Sequence, residues 1–140
     1  MKTLTTLFVL LFSAAWLAAQ SPVGEWKTID DETGKPKSHL QLYESNGKLY
    51  GKVVKMLISS PDKLCDKCPD ERKNQPIMGM VVLIDMEKKG GYWKNGHILD
   101  PDNGKWYTCS FWLKDGDPNV LVVRGYIGPF FRTQNWYRVQ

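Results

Sequence analysis

Histidine is scarce in this chain, with two in 140 residues, and cysteine is nearly so, with three. Neither His39 nor His97 has a Ser or Cys nearby in a recognisable catalytic arrangement, and no G-x-S-x-G occurs. Nucleophilic hydrolysis therefore has no motif to rest on. A zinc site needs four protein ligands, or three and a water. Only Cys109, His39 and His97 could join the remaining cysteines, and each belongs to its own strand or turn. The expectation is no metal, no cofactor and no catalysis. The paired carboxylates, Asp30-Asp31 and Asp100 with Asp102, lie in turn-like stretches where such groups cap or solvate. Blocks of like charge are missing too. The formal charge of +4, or +3 beyond residue 19, is too mild and too dispersed to predict nucleic-acid binding. There is no internal repeat and no low-complexity segment.

One long apolar run is present, and it stands at the start: MKTLTTLFVLLFSAAWLAAQS. Lys2 supplies a positive beginning, and residues 7–19 form an apolar stretch ending in small residues. This is the pattern of a signal peptide cut after Ala19. No cysteine stands near the cut, which argues against a lipid anchor. Residues 1–19 are expected to be removed, leaving 20–140 as one domain without a membrane anchor, periplasmic or secreted.

Helical periodicity is absent from these 121 residues, and strand signals fill them. "GEWKTID" alternates and stops at a turn cluster, residues 30–34. "SHLQLYE" and "KLYGKVVKMLI" flank Asn46-Gly47, a strong hairpin signal because both central turn residues must accept positive φ. Residues 59–76 differ, with three Pro, two Cys and eight charged residues, and read as a long exposed loop. "GMVVLIDME" and "YWKNGHILD" follow, the second with Asn95-Gly96 as a tight turn or bulge. "KWYTCSFWL", "VLVVRGY", "GPFFRTQ" and "NWYRVQ" complete about eight or nine short strands. Such a count in one domain predicts an all-β fold, an antiparallel up-and-down barrel or a small sandwich. Closure is favoured because it leaves no unpaired edge.

Cys65 and Cys68 form a C-x-x-C. A thioredoxin-like site would need a helix N-terminus in a βαβ context, and c-type haem would need His where Pro69 stands. The remaining reading is a disulfide in an oxidising compartment. Pairing Cys65 with Cys68 closes a tiny loop, contributing roughly 2 kcal/mol, against about 4 kcal/mol for pairing either with Cys109. Geometry outranks that difference. Cys109 alternates with Tyr107 and Phe111 toward the interior, so Cys65–Cys68 is favoured, with Cys109 a buried free thiol.

Gly24-x-Trp26 opens the first strand, and Arg138 sits in the last. Lipocalins and their calycin relatives place a G-x-W tryptophan at the barrel base under a basic side chain from the last strand. The segments "GEWKTIDDETGKPKSHLQLYESNGKLYGKVV", "CDKCPDE", "QPIMGM", "WKNGHILDPDNGKWY", "LVVRGYIG" and "QNWYRV" resemble, in order and spacing, the bacterial secreted family catalogued as domain of unknown function 2147. The resemblance implies a lipocalin-like barrel exported to the bacterial envelope, with Gly24, Trp26 and Arg138 structural. It implies no activity.

Small barrels either fill with side chains or hold one small ligand. Alternation turns Leu40, Leu42, Tyr107, Phe111, Leu121 and Val123 inward. The run 53–58 is apolar on both faces, and Met56 is included as an interior position. Arg124 would meet an anionic headgroup if turned inward and would pair or pack if outward; the outward role is favoured, and Arg124 is carried in the candidate set. The expected function is non-catalytic binding of a small apolar or amphipathic ligand. The rival is an interaction module with an envelope protein partner and a packed core. In that case Trp93, Trp106, Trp112 and the 59–76 loop would form one exposed face.

Overall fold

The computed structural model describes residues 20–140; the signal-peptide expectation for residues 1–19 lies outside the described residues. Eight strands follow one another: β1 (Gly24–Ile29), β2 (Pro36–Ser45), β3 (Lys48–Met56), β4 (Val81–Lys89), β5 (Tyr92–Asp100), β6 (Lys105–Lys114), β7 (Asp117–Ile127) and β8 (Phe130–Arg138). Each pairs antiparallel with its neighbour, and β1 closes on β8 through Trp26↔Arg138 and Lys27↔Tyr137. The fold is an all-β, closed, up-and-down barrel. Closure gives every strand two partners, so no edge is left to pair with another chain.

Local sequence chemistry sets the turns. Asn46 and Gly47 adopt φ of 51° and 78°, joining β2 to β3 in two residues. Asn95 adopts φ of 65° without making a turn. It marks a bulge inside β5, where the register with β6 shifts between Trp93 and Gly96. The expected eight or nine strands become eight because residues 130–138 run as one strand rather than two.

A second bulge resolves the run at 53–58. Leu40 opposes Val53, but His39 opposes Lys55 and Ser38 opposes Met56. The extra residue brings Val53 and Met56, three apart, onto the same inner wall, which strict alternation forbids.

The loop between β3 and β4 corrects an expectation. It is not simply an exposed span: it carries a short 3-10 turn at Asp70–Arg72 and buries Cys65, Cys68, Ile77 and Met80. Cys65 and Cys68 are disulfide-bonded, and Cys109 is free and buried. The loop lies against the β5–β6 turn. Cys65 Sγ is 3.7 Å from the Pro101 carbonyl, and Arg72 stacks on Trp106 at 5.1 Å. At Gly104, φ is 71° and a Cβ would stand 1.7 Å from the Lys67 carbonyl oxygen, so only glycine admits this approach.

Apolar side chains line the interior, while Lys52, Lys55, Lys94 and His97 stand exposed on strands. A membrane-spanning barrel has the inverse pattern, apolar outside and polar within.

Candidate functional site

The two ends of the barrel differ. At one end side chains pack the interior, apart from a smaller cavity of about 220 Å³ bordered by residues 20–23, Leu49, Met86 and Trp93. Trp26, Leu42, Leu83, Met86, Phe111 and Leu121 are wholly buried, and Trp93 stacks on Phe111 with ring centroids 5.7 Å apart. Trp26 donates its indole N–H to the Pro22 carbonyl at 2.8 Å. Arg138 lies over its ring at 4.3 Å. The guanidinium also donates to the carbonyls of Val23, Ser21 and Pro118 at 3.0, 2.9 and 3.1 Å. Gly24 leaves the necessary space, since a Cβ there would approach Arg138 Nη1 to 2.8 Å. This knot seals the base.

The other end is open. A cavity of about 770 Å³ enters the barrel between the β1–β2, β3–β4, β5–β6 and β7–β8 connections. Its inner wall is apolar: Leu40, Val53, Met56, Val82, Ile98 and Val123. Polar groups on that wall are few and partnered. Thr28 Oγ1 and Ser38 Oγ share a hydrogen bond at 2.7 Å. Trp136 donates to Gln134 Oε1 at 2.6 Å, and Gln134 in turn donates to Asp31 at 2.7 Å and to the Ile29 carbonyl at 3.1 Å.

The rim is charged. Asp31 pairs with Arg132, and Asp102 pairs with Lys37 and, at 4.0 Å, with Lys63. Lys37, at the start of β2, and Asp102, in the β5–β6 turn, are three strands apart, so their bond reaches across the mouth. Partial burial pulls the Lys37 ammonium down. The Asp102 bond and the neighbouring Asp100 and Asp30 outweigh it, holding the group above its ordinary range. The bond to Asp31 likewise raises Arg132. Asp30 is lowered by accepting from the Thr33 hydroxyl and backbone N–H.

Of the residues expected inside, Leu40, Met56, Tyr107 and Val123 line this cavity. Leu42, Phe111 and Leu121 do not; they are interior, but in the packed base. Arg124 is outside. It stacks on Phe131 at 4.5 Å and on Trp112 at 5.3 Å, and donates to Thr133 at 2.8 Å. Its register explains this: Arg124 opposes Ser110, one residue out of phase with the inward pair Val123 and Phe111. The proposed tryptophan face does not form either, because Trp93 is inside the barrel while Trp106 and Trp112 lie half-buried under arginines.

Gln134 and Trp136 escaped the sequence reading. Treating residues 130–138 as one strand places both on the face of Arg132, which alternation then turns inward. Among the described residues, no group of three or more His, Cys, Asp and Glu side chains is arranged to hold a metal ion.

The sequence profile of uncharacterized proteins conserved in bacteria, DUF2147, matches residues 24–138. The chain belongs to that family. Among solved structures, this DUF2147 barrel is similar to protein HP1028 from Helicobacter pylori, described as belonging to the lipocalin family. The identity is 22%, the TM-score 0.76, and the match covers 87% of this chain and 85% of that one. At that identity the likeness concerns the fold. A search of curated proteins finds no match.

Proposed function

We propose that this DUF2147 barrel is an exported, non-catalytic binding protein for a small apolar or amphipathic molecule. The open cavity of about 770 Å³ carries the reading. Its size falls in the range of small-molecule sites, roughly 300–1,000 Å³. A filled barrel would need no such space, since interiors otherwise pack to crystal-like density. The wall favours an apolar body, and the rim of Lys37, Asp102, Asp31 and Arg132 favours a polar end held at the mouth. Export is supported by the disulfide, which persists in oxidising compartments, and by the N-terminal pattern of residues 1–19.

Gly125 provides the test. It lines the cavity, and a Cβ there would meet only Tyr107 Cβ, at an ordinary 3.7 Å. Gly125→Phe therefore sends a ring into the empty space without backbone strain. Titration with a neutral naphthylamine fluorophore is expected to show saturable binding to the wild type and at least about tenfold weaker binding to the variant. Native mass spectrometry of protein from its source is expected to show co-purifying mass. An unbound wild type, or equal affinity in both proteins, would sink the reading.

A further inference from the structure

Six of the largest exposed apolar side chains gather at the open end of the barrel. Ile127, Phe130 and Phe131 sit at the β7–β8 hairpin, 50%, 73% and 60% exposed. Leu57, Ile58 and Leu64 belong to the β3–β4 connection, and Ile58 is 55% exposed. In a closed barrel of eight strands in sequence order, these two connections lie four strands apart, on opposite sides of the mouth. The cavity opens between them: Phe130 and Phe131 border it on one side, Met56 and Ser59 on the other.

Solvent exposure of two phenylalanines on one tight turn is unfavourable unless something covers them. The sequence around each tip indicates what. Residues 125–131, "GYIGPFF", carry no charge and are bracketed by Arg124 and Arg132. Residues 56–61, "MLISSP", are likewise uncharged; Lys55 precedes them, and Asp62 and then Lys63 follow. The β7–β8 tip, uncharged and apolar between two arginines, matches the layering of a phospholipid surface. The tip enters the acyl boundary, and the cationic groups rest at the phosphates. Of the carboxylates at this end, Asp31 and Asp102 are paired with Arg132, Lys37 and Lys63, while Glu32 and Asp62 stand exposed and would have to stay in the aqueous layer.

We infer that the open end docks on a phospholipid bilayer, with the β7–β8 hairpin and the β3–β4 connection inserted on either side of the cavity mouth. An apolar molecule leaving the bilayer then enters the barrel without crossing water. The docking rests on the binding function proposed above and adds to it the exposed tips, of which Ile58 lies outside the cavity lining.

The experiment uses residues 20–140, which hold the whole closed barrel, so that the apolar run before them contributes nothing. Sedimentation with vesicles of phosphatidylethanolamine and phosphatidylglycerol is expected to carry the protein down. The double variant Ile58→Ser/Phe130→Ser should bind at least about tenfold less, with an unchanged unfolding midpoint. A polarity-sensitive fluorophore attached at Phe130→Cys should shift to the blue when vesicles are added. Absence of wild-type binding, or equal binding by the double variant, overturns docking. A wild-type dimer in solution that the double variant abolishes, with vesicles left unbound, assigns the tips to a second copy and also overturns it. Fluorophore titration without vesicles reads the cavity alone, so failure there together with intact vesicle binding removes only the ligand-binding proposal.

Discussion

Single residues in this barrel act through what they exclude as much as through what they touch. Arg138 excludes water from Trp26 while satisfying three carbonyls, so its fork geometry matters beyond its charge. Arg138→Lys keeps the charge and loses the fork; urea unfolding is expected to show a loss of about 1–2 kcal/mol. Cys109 is the contrasting case, a buried thiol whose burial pushes its pKa from 9.0 up to about 12. Above pH 9 the unfolded chain releases a proton that the folded chain keeps, so stability falls as pH rises through that window. The loss is about 1.4 kcal/mol by pH 10. Cys109→Ala should lack this component, and the difference between the two proteins' urea stabilities at pH 8 and pH 10 measures it. Parallel curves would mean that the thiol is not buried.

At the scale of elements, the β3–β4 connection is the least regular part and is tied down at two points, the Cys65–Cys68 disulfide and its seat against the β5–β6 turn. Cys65→Ser/Cys68→Ser removes the small covalent loop, and urea unfolding is expected to show a stability lower by about 2 kcal/mol. Gly104→Ala attacks the seat instead, forcing a methyl against the Lys67 carbonyl at positive φ. It should cost about 2–3 kcal/mol with the disulfide intact. Protease nicking between residues 60 and 76 should accelerate in Gly104→Ala; unaltered nicking would show that the turn does not hold the loop. The C-x-x-C and its pairing were legible from spacing and context. The seat was not, because it joins segments some 36 residues apart through a carbonyl contact and one glycine.

Across the whole molecule, one end is largely packed and the other hollow, and an ion pair spans the hollow end. Asp102→Ala removes the Lys37 bond at the mouth without touching the wall. Stability should change by less than about 1 kcal/mol, since both partners are substantially exposed. Stopped-flow mixing with the naphthylamine fluorophore should show faster entry and exit, with affinity little altered. Unchanged rates would mean that the pair does not obstruct the passage.

Alternation and turn chemistry determined a β-meander by sequence alone and left barrel and sandwich open. The C-x-x-C and its context favoured the disulfide, and the resemblance of segments from GEWKTIDD to QNWYRV carried the family and the G-x-W to Arg138 contact. Alternation also separated inward from outward at Leu40, Phe111 and Val123. Only the tertiary structure decided how high along the barrel axis each inward residue stands. That height divides Leu40 and Val123, on the cavity wall, from Leu42 and Phe111, in the base. Period-two alternation reports a face and carries no axial coordinate. Bulges such as the one facing His39 and Leu40 then shift faces locally, as at Met56. The cavity itself is a difference between the volume that eight strands enclose and the volume their side chains fill. It belongs to no segment, and it appears only when all eight are closed together.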